Sequence, residues 1–228
     1  MQAVILAAGL GKRLRPITET LPKPLVPING KAVIEYTLAN LPSAITEIIF
    51  VVGHKGHMIK DKFGNSYQNR KIFYAEQNQP LGTGHAVKCA APLIKESFLL
   101  LFGDDVYGPK GLEKIIKKET ALLVKKVEDP SRFGVIALDK AGFVEKIIEK
   151  PKDFVSDLTW TGAGFFKSDI LKIETPLSPR GEYEFTDMVN ALIKNKVLIG
   201  TELADFWLPG NTPEEIKAAA LILTQAYD

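Results

Sequence analysis

The chain has 228 residues, a length that fits one α/β domain. Hydrophobic residues make up 46% of it, enough for a sizeable core, and acids and bases are interspersed to a net charge of only +2. That balance excludes the strong field of a nucleic-acid-binding or membrane-surface protein. A single cysteine, Cys89, excludes an internal disulfide.

The chain shows no targeting or membrane-spanning signal. No apolar run approaches the ~20 residues that span a bilayer. The residues after Met1 lead directly into an apolar segment, without the basic region that opens a signal peptide. We therefore expect a soluble cytoplasmic protein.

The first predicted element is a buried strand, because residues 3–8 form a continuous rather than alternating apolar run. Gly9-Leu10-Gly11 follows, where two missing Cβ atoms let backbone N–H groups approach an anion closely. Several cations come within a few residues: Lys12, Arg13, Arg15 and Lys23. This stretch predicts a site for a polyphosphate.

Two common phosphate loops do not fit this stretch. The dinucleotide fingerprint G-x-G-x-x-G needs a glycine where Leu14 stands, and no acid follows about 20 residues later. The Walker loop needs Ser or Thr after Gly11-Lys12, where Arg13 stands. A dinucleotide-binding redox protein is therefore disfavoured.

The first half alternates strands and helical patterns. We predict a helix beginning at Lys31, helices over 54–63 and 82–91, and strands over 47–53, 71–77 and 98–104. This alternation indicates right-handed βαβ units and a mostly parallel sheet. Ligands of such sheets lie beyond the carboxyl ends of the strands, where the glycine loop and Asp104 are both expected.

The second half is less regular. We predict helices over 112–118 and 184–194, strands over 121–127, 135–138, 144–149 and 159–166, and an extended segment over 197–203. A final helix over 212–227 has Thr212 as its N-cap, Pro213 at N1 and Glu215 at N3. No linker separates the halves, so residues 1–228 are predicted to form one domain with one shared sheet.

The stretch from Gly9 to Leu25 resembles the signature G-x-G-x-R-x-x-P-x-T-x-x-x-P-K-P-L of sugar-1-phosphate nucleotidylyltransferases, of the glucose-1-phosphate thymidylyl- and uridylyltransferase type. The matching residues are Gly9, Gly11, Arg13, Pro16, Thr18, Pro22, Lys23, Pro24 and Leu25. The resemblance implies a Rossmann-like α/β three-layer sandwich with a mixed, mostly parallel central sheet. Residues 1–105 would then bind the nucleotide and residues 106–228 the sugar.

The implied reaction is attack by a sugar 1-phosphate oxygen on the α-phosphorus of a nucleoside triphosphate, with release of pyrophosphate. The nucleophile is already an anion, so the barrier lies in charge repulsion and alignment, which Mg²⁺ and cations reduce. By the resemblance, Arg13 would clamp the β- and γ-phosphates and Lys23, held between prolines, would reach the α-phosphate. The nucleotide would also contact the loop residues Ala8, Gly9, Gly11 and Lys12.

The segment from Gln77 to Ala86 resembles the family's Q-x-x-x-x-G-T-x-x-A motif. There Gln77 and the backbone of Gly82 would read the edge of a pyrimidine base, with Thr83 next to them. The resemblance therefore favours UTP or dTTP. Glucose 1-phosphate or an N-acetylhexosamine phosphate is the expected sugar.

The metal site is expected at Asp104, because the family's Gly-Asp aspartate holds Mg²⁺ between the substrates. Asp105 is interpreted as structural or as a residue that supports the metal ligand. The segment from Trp207 to Glu214 resembles W-x-D-x-G-T-P-E, but Pro209 stands where many members have a metal-binding aspartate. Asn211 is the predicted second ligand, with a turn residue before the helix cap as the alternative. Asp205 or a water could also complete the coordination.

The sugar side rests on the residues that match the family's sugar contacts: Gly134, Glu149, Lys150, Thr161 and Gly162. In the family, the glycine and Glu149 hold sugar hydroxyls, while Lys150 pairs with the sugar phosphate. Trp160 is open between ring stacking and core packing, with the core as the ordinary expectation.

Rival interpretations remain at this stage. One is a catalytically silent homologue that binds a nucleotide sugar, and another is a guanylyl- or cytidylyltransferase of the same fold. A homo-oligomer is possible. Many relatives carry a C-terminal β-helix, so the chain is either a minimal enzyme or part of a longer one.

Overall fold

Fourteen strands and six α-helices follow one another in residues 1–227, the part of the chain that the computed structural model describes. The strands are β1 Gln2–Ala7, β2 Pro27–Ile28, β3 Lys31–Ala32, β4 Glu47–Val52, β5 Ser66–Tyr67, β6 Arg70–Glu76, β7 Ser97–Phe102, β8 Val106–Tyr107, β9 Ala121–Lys126, β10 Gly134–Leu138, β11 Val144–Glu149, β12 Leu158–Lys167, β13 Gly200–Leu203 and β14 Trp207–Leu208. The helices are α1 Val33–Ala39, α2 Gly56–Phe63, α3 Thr83–Cys89, α4 Pro109–Ile115, α5 Phe185–Lys194 and α6 Pro213–Tyr227.

The first half of the main sheet is parallel, as predicted. Strand β1 lies between β4 and β7 and is parallel to both, and β4 is parallel to β6. These strands are apolar without alternation because both faces are covered by helices. Neighbouring residues of β1 show this directly, since Val4 and Ile5 point to opposite faces and are both fully buried.

The second half joins the same sheet mainly through antiparallel ladders. The long strand β12 pairs antiparallel with β7, β9 and β10, and β10 pairs antiparallel with β11. Only β13 adds a parallel ladder there, against β9. The mixed α/β sheet is thus confirmed, while its parallel part is concentrated in the first half. A short hairpin connection, as between β10 and β11, permits only antiparallel pairing.

Two apolar layers cover the faces of the sheet. One contains residues of α1, α2 and α4, and the other contains residues of α3 and α5. Trp160 belongs to the second layer, where its ring is 6% exposed and its Nε1 donates to the Ala163 carbonyl at 2.7 Å. The core interpretation of Trp160 is therefore confirmed. No helix in residues 1–227 has the length and apolar character to cross a bilayer.

Several predicted boundaries are wrong by a few residues. The helix expected from Lys31 begins at Val33, because Lys31 and Ala32 first pair with Pro27 and Ile28. The helix expected over 112–118 occupies Pro109–Ile115 instead, since Pro109 stands at N1 and Asp205 accepts from the N–H of Gly111 at 2.9 Å. Strand β7 ends at Phe102, so Asp104 lies in the turn after it rather than at the strand end.

Candidate active site

A cavity of about 520 Å³ opens at the carboxyl edge of the parallel strands. The loops after β1, β6 and β7 form its wall, at the edge where ligands of α/β sheets bind. The predicted residues that line it are Ala8, Gly9, Gly11, Lys12, Arg13, Lys23, Gln77, Gly82, Thr83, Asp104 and Asn211. Tertiary structure thus brings together every residue predicted for the nucleotide and the metal.

The glycine loop is shaped by Gly11. Its φ is +62°, and a Cβ there would lie 2.8 Å from the Thr18 Cγ2 and 3.2 Å from the Lys23 Cβ. The buried Thr18 hydroxyl donates to the Gly11 carbonyl at 2.7 Å. A Cβ at Gly9 would meet no protein atom within 4 Å, so the space in front of that backbone is open. The loop therefore needs a glycine at position 11 for its own conformation and leaves room beside Gly9 for a ligand.

Lys23 is the centre of the cavity's polar network. Its ammonium donates to the Asp104 carboxylate and, at 2.9 Å, to the Asn211 Oδ1. The side chains of Lys23 and Asp104 are only 13% and 22% exposed. Lys23 begins a short 3₁₀ turn over Lys23–Leu25 in which Pro24 is buried, so its backbone is held by packing. Three segments distant in sequence therefore converge on one charge.

The residues fit a magnesium ion. The Asp104 carboxylate and the Asn211 Oδ1 both contact the Lys23 ammonium, so two oxygen atoms converge on a position that a cation occupies. Mg²⁺ is commonly held by one or two carboxylates plus substrate phosphates. Within residues 1–227 no three His, Cys, Asp or Glu side chains gather around one point, so further ligands would come from substrate and water. The alternative ligand Asp205 has other partners, because its two carboxylate oxygens accept from the backbone N–H groups of Lys110 and Gly111 at the start of α4.

Two hydrogen bonds to Glu215 fix the backbone around Asn211. Its backbone N–H donates to the Glu215 Oε2 at 2.7 Å, and the Thr212 hydroxyl accepts from the Glu215 N–H at 3.3 Å. These bonds confirm Thr212 as the N-cap of α6. The Asn211 side chain is left to face Lys23.

Asp105 is structural, as predicted. It is 2% exposed, and its carboxylate accepts from the Trp207 Nε1 at 2.9 Å and from the Gly210 N–H at 3.2 Å. Burial, with the charge of Asp104 second, raises the pKa of Asp105 to about 8, although Lys23 and the two N–H donors oppose the shift. Asp105 thereby ties the segment that carries Asn211 to the turn that carries Asp104.

Gln77 lines the cavity with a fixed carboxamide. The side chain is buried, and its Nε2 donates to the Gly82 carbonyl at 3.0 Å and lies 3.0 Å from the His85 Nδ1. Gly82 has a φ of +100°, and a Cβ there would lie 2.6 Å from the Tyr183 carbonyl oxygen. Its own N–H finds no acceptor in residues 1–227. The cavity wall thus presents the Gln77 Oε1 as an acceptor and the Gly82 N–H as a donor.

Thr83 connects the two halves of the domain. Its hydroxyl accepts from the Phe185 N–H at 3.0 Å, at the start of α5. The loop before α5 also pairs with this segment, since the Gly84 N–H donates to the Tyr183 carbonyl at 2.7 Å. The Thr83 hydroxyl therefore has a structural partner in addition to its place in the cavity wall.

Three of the predicted sugar residues form one group on β10 and at the end of β11. A Cβ at Gly134 would lie 3.4 Å from the Glu149 Oε2, and the Lys150 ammonium lies 3.7 Å from the Glu149 Oε1. Gly162 has a φ of +82°, and a Cβ there would clash at 2.6 Å with the ring of Phe102, which lines the cavity. Of the predicted sugar residues, Gly162 is thus the one that this contact places next to the cavity wall.

Thr161 does not turn its side chain towards this group. It is 1% exposed, and its hydroxyl donates to the Leu123 carbonyl at 2.8 Å. Thr161 lies where the pairing of β12 with β9 is irregular, between Trp160 and Gly164, and its side chain turns to that neighbouring strand. Any ligand contact at this place would come from the backbone beside Gly162.

Sequence reasoning missed the loop before α5. Glu182 lines the cavity, and Arg180 contacts the Glu184 Oε1 at 2.8 Å and the Glu149 Oε1 at 3.5 Å. Glu184 is only 7% exposed, whereas the side chains of Arg180 and Glu149 are 42% and 34% exposed. The signal was available, because Arg180-Gly181-Glu182-Tyr183-Glu184 is a charged run directly before an amphipathic helix.

Comparisons with known proteins agree with this geometry. A family model described as nucleotidyl transferase matches residues 2–220. The bifunctional protein GlmU of Methanococcus maripaludis is 38% identical over 223 residues, which are 96% of this chain and 53% of that protein. The chain thus spans about half the length of these bifunctional relatives.

A second relative is similar along most of its own length. The UTP--glucose-1-phosphate uridylyltransferase AglF of Haloferax volcanii is 34% identical over 218 residues, covering 91% of this chain and 89% of that protein. Among solved structures, a UDP-glucose pyrophosphorylase in complex with UDP-glucose has a TM-score of 0.87 at 25% identity, over 99% of this chain and 98% of that one. Matched along nearly all of its residues, the chain belongs to the nucleotidyl transferase family.

Proposed function

We propose that the protein is an enzyme that joins a sugar 1-phosphate to a nucleoside triphosphate, with UTP or dTTP favoured, and releases pyrophosphate. The observation that carries this proposal is the contact of the Lys23 ammonium with both Asp104 and Asn211 inside the cavity of the glycine loop. It combines a compact cation, two oxygen ligands and an open anion-binding loop. Phosphoryl-group chemistry needs these three parts together.

The triphosphate would lie over the glycine loop. The side chains of Lys12 and Arg13 are exposed at the cavity and form no ion pair in residues 1–227. Unpaired cations beside open backbone suit a polyphosphate, and Arg13 offers the planar fork that binds phosphate oxygens in pairs. Their role is to hold the β- and γ-phosphates in line for departure.

Lys23 would act at the reacting phosphorus. Its ammonium is largely shielded from water, so its charge acts in a low local dielectric. There it reduces the repulsion between the α-phosphate and the incoming sugar phosphate and keeps them aligned. Asp104 and Asn211 would hold Mg²⁺, which would supply further charge neutralisation.

The base preference follows from the wall of the cavity. An acceptor at the Gln77 Oε1 and a donor at the Gly82 N–H complement the N3–H and a carbonyl oxygen of uracil or thymine. Cytosine presents an acceptor and an amino donor at the same edge and would leave polar groups unpaired. This pattern supports UTP or dTTP.

The sugar side is proposed from the group on β10 and at the end of β11. Glu149 would accept from sugar hydroxyls and Lys150 would pair with the sugar phosphate, while the residues Gly134, Thr161 and Gly162 would shape the space. Glucose 1-phosphate fits the printed name of AglF, and an N-acetylhexosamine phosphate is the other candidate. The triphosphate substrate and the free thiol of Cys89 fit a cytoplasmic enzyme.

A pyrophosphate-release assay tests the proposal. Each of UTP, dTTP, CTP, GTP and ATP is combined with glucose 1-phosphate or N-acetylglucosamine 1-phosphate in the presence of Mg²⁺, and the product is identified by mass. We expect turnover with UTP or dTTP. Turnover only with purine triphosphates would contradict the base assignment. Nucleotide-sugar binding without any transfer would instead identify a silent binding homologue.

A further inference from the structure

We propose that His85 is a positioning residue that fixes the orientation of the Gln77 carboxamide and so sets the preference for uracil or thymine over cytosine. The inference rests on the proposed function. It extends it, because His85 is not part of the cavity wall and would act only through Gln77.

The orientation of the Gln77 carboxamide is determined by its neighbours. The Gly82 carbonyl can only accept, so the Gln77 end that faces it at 3.0 Å must be the NH₂ group. The same nitrogen lies 3.0 Å from the His85 Nδ1, which must therefore accept as well. The Gln77 NH₂ group thus donates one N–H to each of these two acceptors.

Two acceptors together make the reverse orientation unfavourable. If the carboxamide turned by half a rotation, the Gln77 Oε1 would face the Gly82 carbonyl oxygen and the His85 Nδ1 lone pair. Both N–H groups would then turn to the cavity. Such a rotated amide donates where it formerly accepted, which suits the N3 acceptor of cytosine. A glutamine that was free to rotate could pair with the N3 position of uracil or thymine and also with that of cytosine. His85 favours the one orientation that accepts from N3–H.

His85 itself is held on a fixed element. It lies in α3, whose first turn is joined to the loop before α5 by the Gly84 N–H and the Thr83 hydroxyl. The Cys89 Sγ, one turn further along the helix, lies 3.9 Å from its Nε2 and 4.0 Å from its Nδ1. The ring therefore has Cys89 as a packing neighbour, and Cys89 provides a control position.

The test compares four variants with the unaltered protein. His85→Phe keeps a ring of similar size and removes the acceptor, and His85→Asn places an amide oxygen near the former position of Nδ1. Cys89→Ala alters the packing of His85 without touching Gln77. His85→Ala is used if the Phe variant does not fold. The measurement is kcat/KM for UTP, dTTP and CTP with one sugar phosphate, together with the thermal midpoint of each variant.

We expect His85→Phe to lower the ratio of UTP to CTP by about three- to tenfold, the effect of one hydrogen bond. His85→Asn and Cys89→Ala should keep that ratio within about twofold, whatever their thermal midpoints. If the unaltered protein prefers UTP and His85→Phe lowers all three substrates alike, the inference is wrong and the proposed function stands. If the unaltered protein shows no pyrimidine preference, both are wrong.

Discussion

Removal of the Lys23 ammonium should affect the chemical step more than substrate binding. In Lys23→Ala the cavity loses a cation that contacts both Asp104 and Asn211 and whose side chain is only 13% exposed. Loss of one preorganised group of this kind costs ~3–4 kcal/mol of transition-state stabilisation. Because ~1.4 kcal/mol corresponds to tenfold in rate, kcat should fall by roughly a few hundredfold.

Lys23→Arg should not restore the rate. Lys23 begins a short 3₁₀ turn in which Pro24 is buried, so packing limits how far its backbone can shift to accommodate a larger head group. A planar fork also cannot replace a compact charge between two oxygens. Arg13→Ala should instead raise the KM for the triphosphate, because Arg13 is exposed at the cavity and free to grip bound phosphates.

Steady-state kinetics with the triphosphate and the sugar phosphate varied separately measure these effects. Lys55→Ala is the matched control, since its ammonium contacts the Glu19 carbonyl and its side chain is outside the wall of this cavity. The control should keep both constants. If Lys23→Ala and Arg13→Ala each raise the KM for the triphosphate and for the sugar phosphate alike, the loop only attracts anions. The separate roles assigned to Lys23 and Arg13 would then be wrong.

The other predictions concern the metal, the buried acid and the loop. Asp104→Asn should lower Mg²⁺-dependent turnover by a few orders of magnitude, and Asn211→Ala should lower it by less. The measurement is the dependence of turnover on Mg²⁺ concentration. Near-normal turnover in Asp104→Asn would refute Asp104 as a metal ligand. Asp105 has its pKa raised from 3.8 to about 8 by burial, so the native state binds an extra proton between these values and the free energy of unfolding should fall as pH rises through them. Asp105→Asn removes one hydrogen-bond acceptor, so at low pH its free energy of unfolding should be lower than that of the unaltered protein. Denaturant titrations should show this difference narrowing as the pH rises towards about 8. A difference that does not change with pH would contradict the prediction. Gly11→Ala should lower stability by ~1–3 kcal/mol and weaken triphosphate binding, because φ is +62° and its Cβ would meet Thr18 at 2.8 Å. Gly30→Ala is its control, with a φ of +77° and no atom within 4 Å of the added Cβ, and an equal loss in both would show that contact with Thr18 is irrelevant.

Local sequence was sufficient for the order of elements and for the glycine loop. Continuous apolar runs predict buried strands because burial on both faces needs no alternation, and the strands β1, β4 and β7 appear where those runs stand. Thr212, Pro213 and Glu215 similarly mark the start of α6 through interactions within four residues. These features depend on neighbours along the chain, which the sequence displays directly.

Sequence motifs also predict that the candidate nucleotide and metal residues belong to one site. Their mutual contacts could not be read from the sequence, because Lys23 is separated by 81 residues from Asp104 and by 188 from Asn211. The same holds for the Arg180 contact with Glu149 and for the His85 contact with Gln77. Each depends on side-chain directions that only packing determines.

Tertiary structure alone decided the pairing direction of the second half and the direction of Thr161. Strand β12 pairs antiparallel with β9, and where that pairing is irregular, between Trp160 and Gly164, the Thr161 hydroxyl meets the Leu123 carbonyl. Asp104 and Asp105 are adjacent in sequence, yet Asp104 lines the cavity whereas Asp105 is buried and accepts from the Trp207 Nε1. A one-residue step in the turn after β7 sends them to opposite environments, and exclusion of water by distant residues raises the pKa of the buried Asp105.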